Sequence, residues 1–312
     1  MSHPAPLRPS RARVAPGACL ATALLFAITL GIGRDAGAVP VQPAAPDYGW
    51  LFDEGAGSTA GASFGGADGA LQNGAGWSTG TPFAYGGNAS LLLDGANDFV
   101  DVPGLNSVLD GATAFSISLW VRSSATGQNR AFFGGVDPSG SDTFGGRYDA
   151  AGWLNGNGGT TELIKFGLMI DGANYQYESA GGYQTTAWQH IAFTWASGAG
   201  ARLYVDGVLD TPSETSTNFD TVVGALSGQT RFMIGNGAKA VWSGHLDEVM
   251  VWRSALDADE VEYLSTTTSA TLVPEPSTAL LLLGGLAGLA ARRRDVPAAG
   301  SRPTGVAASA RR

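Results

Sequence analysis

Three oxygen-bearing side chains, Asp94, Asn97 and Asp98, lie within the five-residue stretch DGAND. A tight turn of this kind offers carboxylates and backbone carbonyls to a hard cation, and Ca²⁺ takes about six to eight oxygen ligands. The spacing excludes an EF-hand, whose ligands alternate regularly along a longer loop. The pattern therefore predicts a calcium site, with the alternative that Asp94-Gly95 only forms the turn.

Aromatic side chains recur in segment 144–183, among glycines and asparagines. Exposed rings stack on sugar faces while neighbouring polar groups bind the hydroxyls. The segment therefore predicts a saccharide-binding surface, and the alternative is that these rings fill the core or support loops. The candidate ligand-binding residues are Tyr148, Trp153, Tyr175 and Tyr177.

Few residues have the types and spacing that catalysis requires. Beyond residue 38 the sequence has two histidines, His190 and His245, and it contains neither an H-E-x-x-H motif nor a G-x-S-x-G motif. Asp247 and Glu248 are adjacent, so on a strand they point to opposite faces and do not form a catalytic pair by themselves. We expect no catalytic residues and no enzymatic activity.

The charges are distributed unevenly along the 312 residues. The net charge is −9, but residues 39–276 hold 8 basic and 25 acidic residues, a net charge of −17. A body this acidic argues against binding to nucleic acid or to an anionic membrane surface.

The N-terminus has the three parts of a secretory signal peptide. Basic residues precede an apolar run over 18–32, and Ala36-Gly37-Ala38 provides an A-x-A cleavage site. We predict a signal peptide over 1–38 that is cleaved after Ala38, with a retained anchor as the alternative. Cleavage removes Cys19, the one cysteine, so no disulfide is available to the exported chain.

The C-terminus carries the sequence VPEPSTALLLLGGLAGLAARRR over 273–294. This stretch resembles the PEP-CTERM sorting signal of Gram-negative bacteria, which implies an exosortase as a partner and an exported protein whose precursor is held in the inner membrane. The segment from Ser277 to Ala291 gives roughly 22 Å of helix, short of a ~30 Å hydrocarbon core. A permanent anchor is the alternative. Members of that family usually end after the arginines, whereas residues 295–312 form a predicted disordered tail. The motif residues are Pro274, Glu275, Pro276, Arg292, Arg293 and Arg294.

The region between these signals has the pattern of a β-sandwich. FSISLWVR over 115–122 and HIAFTW over 190–195 alternate apolar and polar residues, which indicates half-buried strands. Asp206-Gly207 between two apolar segments indicates a type I′ hairpin turn. Leu246–Trp252 is apolar on both faces and predicts a central strand, and a capping box at Asp257 predicts a short helix to Leu264.

Seven sequence blocks arrive in an order that resembles the laminin-G-like, concanavalin A-type jelly roll of extracellular bacterial proteins. They run from GWLFDEGAG at 49–57, through LLLDGANDFVDVP at 91–103, to GHLDEVMVWRSAL at 244–256. The resemblance implies an all-β, two-sheet antiparallel jelly-roll sandwich over 47–265. We expect linkers at 39–46 and 266–272 on either side of it, and terminal helices in the signal peptide and the sorting signal.

The resemblance also implies a fuller site and a function class. Its first and last strands pair, which adds Asp53, Glu54 and Asp247 to the predicted structural Ca²⁺ shell, as is common in that family. The Glu-x-Asp-x-x-Glu motif of glycosidases that share the fold is absent. We therefore expect a non-catalytic module at the cell surface or in the extracellular matrix, with saccharide as the first candidate partner. Protein adhesion or a structural matrix role is the alternative, and a glycosidase or polysaccharide lyase the third.

Overall fold

The structure is a computed structural model, and it describes residues 40–273 apart from 84–88, 104, 106–108, 137–141, 150–161, 214–215, 229 and 238–239. The chain divides into two units, 1–38 and 39–312, and every described residue belongs to the second. The described residues form two eight-stranded antiparallel sheets, which confirms the predicted all-β sandwich.

Sheet A contains β1 Tyr48–Trp50, β4 Gly76–Ser78, β5 Ser90–Asp94, β7 Ala114–Ser123, β12 Gln189–Ala196, β13 Gly200–Val205, β14 Val208–Leu209 and β18 Ser243–Trp252. Its strand order is β14-β13-β12-β7-β18-β5-β4, and β1 also pairs with β18. The predicted central strand is thus confirmed, because β18 lies between β7 and β5.

Sheet B contains β2 Thr59–Ala60, β3 Gly69–Gln72, β6 Phe99–Val102, β8 Arg130–Val136, β9 Asp142–Asp149, β10 Leu163–Ile170, β11 Ala173–Glu178 and β15 Arg231–Ile234. Its strand order is β11-β10-β9-β8-β15-β6-β3-β2. A short hairpin follows β15 and consists of β16 Asn236–Gly237 and β17 Ala240–Val241.

The core lies between the two sheets and is rich in aromatic rings. The alternating residues of β7 that face it are fully buried, as their pattern predicts: Phe115, Ile117, Leu119 and Val121. Phe193 of sheet A stacks on Phe166 of sheet B with ring centroids 4.2 Å apart. Ring contacts of this kind add to the burial of apolar area, the main source of stability in a domain without disulfides.

A helix, α1 Ala258–Thr266, covers part of the outer face of sheet A. Asp257 caps it, and Glu260 completes the predicted capping box. Val261 and Leu264 of this helix belong to a second buried cluster that includes Met250 and Trp252 of β18. Sheet A is therefore buried on both faces where α1 lies.

The segments predicted as linkers are part of the folded domain, which corrects the boundaries expected at 39–46 and 266–272. Ala44 accepts a hydrogen bond of 2.8 Å from the Trp252 indole. Ser269–Leu272 forms a 3₁₀ turn in which Leu272 is buried. The Glu248 carboxylate on β18 accepts hydrogen bonds from the Thr268 hydroxyl and, at 2.8 Å, from the Ser269 amide. Both chain ends of the domain are thus held against sheet A.

Candidate functional site

An open cleft of about 570 Å³ lies on the outer face of sheet B. Val100, Val102, Phe232 and Ile234 point into the core, so the residues between them on β6 and β15 face outward into the cleft. The residues that supply its polar groups and its aromatic ring are Asn73, Asn97, Phe99, Arg231 and Asn236.

One wall of the cleft is the β16–β17 hairpin, which lies directly on the sheet at Gly134. A Cβ atom at this position would stand 2.7 Å from Cα of Gly237 and 2.8 Å from the carbonyl oxygen of Asn236, so only glycine permits the approach. Arg130 joins this wall to the turn at Gly95 on the opposite side of the cleft. Its Nη1 donates to the carbonyl of Gly95 at 2.6 Å and to that of Val241 at 3.0 Å.

Arg231 is held at the floor of the cleft by two contacts. Its Nε donates to Oδ1 of Asp101 at 2.8 Å, and its guanidinium lies over the Phe99 ring, 5.2 Å from the centroid. The Arg231 side chain is 45% exposed, so the pair is partly open to solvent. A planar guanidinium and amide side chains are suited to bind hydroxyl or carboxylate oxygens.

The six predicted calcium ligands lie in two separate places, which corrects the expectation that they form one shell. In the turn after β5, Asp98 is buried and its Oδ2 accepts from the Asp94 amide at 3.1 Å, while Asp94 Oδ1 accepts from the Ala96 amide at 2.7 Å. These carboxylates therefore close the turn. Asp94 pairs with Ser243, four residues before Asp247 on β18, or about 13 Å along the strand.

The second group surrounds Asp247, which is buried on β18. Burial raises its pKa well above the usual value, and the nearby Glu248, Asp53 and Glu54 carboxylates raise it further. Glu54 is exposed and accepts a hydrogen bond from the Gly61 amide at 2.7 Å. Within the described parts of 40–273, no three His, Cys, Asp or Glu side chains are arranged to hold a metal ion. Calcium binding stays a prediction of the sequence.

Two of the four aromatic residues proposed for saccharide binding are in the core, so that part of the prediction is wrong. Tyr148 is fully buried and donates to Gln189 Oε1 at 2.8 Å. Tyr177 is 2% exposed and donates to Asp210 Oδ2 at 3.0 Å. Tyr175 is half-buried beside Phe219. The rings of Tyr148 and Tyr177 face the other sheet because each residue occupies an inward-facing position of its strand.

The two histidines beyond residue 38 differ in environment. His190 is fully buried, with Nε2 2.8 Å from the Ser118 hydroxyl, and burial lowers its pKa to about 3. It is therefore neutral at physiological pH and inaccessible to a substrate. Nε2 of His245 lies 3.2 Å from the Ser78 hydroxyl. Burial lowers the pKa of His245, and the positive charge of Arg122 lowers it further.

Sequence reasoning missed Arg231, Phe99 and Asn236, because the cleft joins residues far apart in the chain. One signal was present: the Asn236-Gly237 pair after the strand RFMI is typical of a turn, although in the structure these two residues form β16. The partner of Arg231, Asp101, lies 130 residues earlier and pairs with it only through the strand order.

Several predicted residues lie outside the described part of the chain. They are Trp153, the cleavage-site residues Ala36 and Ala38, and the sorting-motif residues Pro274, Glu275, Pro276, Arg292, Arg293 and Arg294. The predicted terminal helices also lie outside it. Among the described residues, no helix combines the length and apolarity needed to cross a membrane.

The two antiparallel sheets packed face to face define a jelly-roll sandwich. Residues 94–262 match the Laminin_G_3 family model, described as the concanavalin A-like lectin/glucanases superfamily, and the chain belongs to this family. Residues 272–294 match the PEP-CTERM protein-sorting motif. This motif indicates an exported protein of Gram-negative bacteria whose precursor is anchored in the membrane.

Solved structures share the fold at low sequence identity. Domain 4 of AbnA, a GH43 extracellular arabinanase from Geobacillus stearothermophilus solved with arabinotriose, is 19% identical with a TM-score of 0.50, covering 72% of this chain and 100% of that domain. Trypanosoma rangeli sialidase is 15% identical with a TM-score of 0.51, covering 77% of this chain and 36% of the sialidase.

A curated human protein, adhesion G-protein coupled receptor D1, is 32% identical over 82 residues. The match covers 24% of this chain and 8% of the receptor. The solved structures are below 25% identical and show the fold alone.

Proposed function

We propose that the mature protein is a non-catalytic saccharide-binding module of the cell surface or extracellular matrix, released from its membrane precursor by an exosortase. The observation that carries the proposal is the cleft on sheet B. It brings three amide side chains, from Asn73, Asn97 and Asn236, to the Phe99–Arg231 pair. Amides bind hydroxyls as both donors and acceptors, which is the chemistry that saccharides require.

The composition of the cleft also supports binding without hydrolysis. Among the described residues that line it there is no Asp or Glu, whereas glycoside hydrolysis uses two carboxyl groups across the scissile bond. Asp101, the nearest acid named above, is engaged by Arg231. Arabinotriose in the complex of AbnA domain 4 is compatible with a saccharide ligand on this fold.

A glycan-array screen of the mature protein tests the proposal, with affinities of the hits then measured by calorimetry. We expect Arg231→Gln to weaken binding at least tenfold, about 1.4 kcal/mol. Arg202→Gln is the matched control, because Arg202 is 46% exposed and pairs with Asp220 at 3.4 Å on the other sheet. Equal losses in both variants would place binding elsewhere.

Absence of any glycan binding would contradict the proposal and favour protein adhesion or a structural matrix role. Repeating the screen in calcium and in chelator tests the calcium prediction separately. Binding that disappears only with chelator would assign a cation to the site.

Exosortase processing has its own test, mass spectrometry of the C-terminal peptide of the exported protein. The mature species should lack the arginine-rich end, since the motif residues match the sorting signal. Recovery of Arg312 on exported protein would contradict processing.

A further inference from the structure

A buried lysine lies between two carboxylates on three neighbouring strands of sheet B. Nζ of Lys165 on β10 is 3.2 Å from Oδ2 of Asp149 on β9 and 3.0 Å from Oε1 of Glu178 on β11. The three side chains are only 1–2% exposed. We call these three residues the lysine triad.

The strand register fixes this arrangement. Lys165 stands directly opposite Glu178, and Asp149 lies opposite Leu163, two residues away along β10. Ile164 and Phe166 point into the core, so the lysine triad lies on the outer face of sheet B. None of its members lines the saccharide cleft, and the proposed function does not use them.

Burial makes the charged form of this triad costly. Removing an ammonium and a carboxylate from water carries a large desolvation cost, and their mutual attraction often only balances it. Nζ of Lys165 and the Asp149 carboxyl group, held in contact at 3.2 Å, are the reactant pair for an amide bond.

We propose that Lys165 and Asp149 join through an intramolecular isopeptide bond, with Glu178 as the catalytic base. Glu178 removes a proton from the Lys165 ammonium, and the freed Nζ attacks Cγ of the Asp149 carboxyl group. The tetrahedral intermediate passes a second Nζ proton to one Asp149 oxygen, Glu178 returns the first proton to the same oxygen, and that oxygen leaves as water. One N–C bond forms, one C–O bond breaks, one water leaves, and no oxidant or other reactant is consumed.

The consequence is a covalent link between β9 and β10. Because no cysteine remains beyond residue 38, the exported chain has no disulfide to serve this purpose. A cross-link lowers the conformational entropy of the unfolded chain, and it stabilises the folded domain in the same way as a disulfide does.

Peptide mapping of the denatured full-length chain tests the bond directly. A protease that cuts after lysine and arginine separates peptides 148–165 and 166–202 in an unlinked chain. The linked chain instead yields a single peptide over 148–202 that is one water lighter, because amidated Lys165 resists cleavage. Recovery of the two separate peptides with intact mass would overturn the proposal.

Three variants separate the bond from other water losses, such as succinimide formation at Asp-Gly pairs. Lys165→Arg and Glu178→Gln should each restore cleavage after position 165. Both should then yield peptides 148–165 and 166–202 with no loss of water. Lys239→Arg is the matched control, since Lys239 is the other lysine in the chain, and it should leave the linked peptide unchanged. Water loss that persists in Lys165→Arg would overturn the bond, and a bond that persists in Glu178→Gln would overturn the role of Glu178.

Discussion

Replacing Asp210 with alanine tests how the two sheets are joined beyond their apolar core. Asp210 follows β14 in sheet A, is buried, and accepts three hydrogen bonds. Two come from tyrosine hydroxyls, Tyr177 on β11 at 3.0 Å and Tyr183 at 2.8 Å, and one from the Ala180 amide at 3.2 Å. The carboxylate therefore links the end of sheet A to the edge of sheet B.

The expected cost follows from these bonds. A hydrogen bond to a charged group contributes about 1.5–3 kcal/mol, and three such bonds set an upper limit near 9 kcal/mol. Tyr183 is half-buried, so water replaces part of what it loses. We expect Asp210→Ala to lower the free energy of unfolding by about 3–5 kcal/mol, which lowers Tm by roughly 6–20 °C in a domain of this size.

Chemical denaturation of the mature protein measures this change, and Tyr177→Phe supplies the partner for a double-mutant cycle. Tyr177→Phe removes one bond and should cost about 1–2 kcal/mol alone and much less in the Asp210→Ala background. The reasoning is refuted if Asp210→Ala costs less than about 1 kcal/mol or if the two changes are additive.

Two further variants test buried positions described above. Burial and neighbouring carboxylates raise the pKa of Asp247, so its contribution to stability is greatest below the unfolded-state pKa and falls as pH rises through the folded-state value. Asp247→Asn keeps the acceptor for the Glu248 amide. In calorimetry, this variant should raise Tm at pH 7 and make Tm less dependent on pH. A Tm that falls only when calcium is present would instead support the calcium prediction. Gly134→Ala should displace the β16–β17 hairpin and weaken glycan binding several-fold. Gly167→Ala is the control, because its Cβ meets no atom within 4 Å, and it should not weaken binding. Equal affinities of the two variants in calorimetric titrations would show that the hairpin does not shape the site.

Local patterns in the sequence predicted the elements that depend on neighbouring residues. The Asp206-Gly207 pair has φ of 51° and 78°, as a type I′ turn requires, and joins β13 to β14. The capping box at Asp257 appears as predicted because its hydrogen bonds lie within one turn of α1. Such signals need no knowledge of the tertiary fold.

The errors arose where long-range pairing decides the outcome. The rings of Tyr148 and Tyr177 resemble surface aromatics in sequence, but strand register turns them into the core. Lys165 interrupts the apolar strand LIKFGLMI, a visible signal of a buried charge, yet its carboxylate partners are set by the order of β9, β10 and β11. One sequence without its strand order does not reveal such partners.

The attachment of the chain end to the middle of sheet A determines how the domain bears mechanical load. A pull on the C-terminal end of the domain enters at the Ser269–Leu272 turn and reaches β18 through Glu248. Because β18 is paired with β7, β5 and β1, the force spreads over three strands instead of peeling an edge strand. We therefore expect a pull on the C-terminal end to detach the turn before it separates the strands of sheet A.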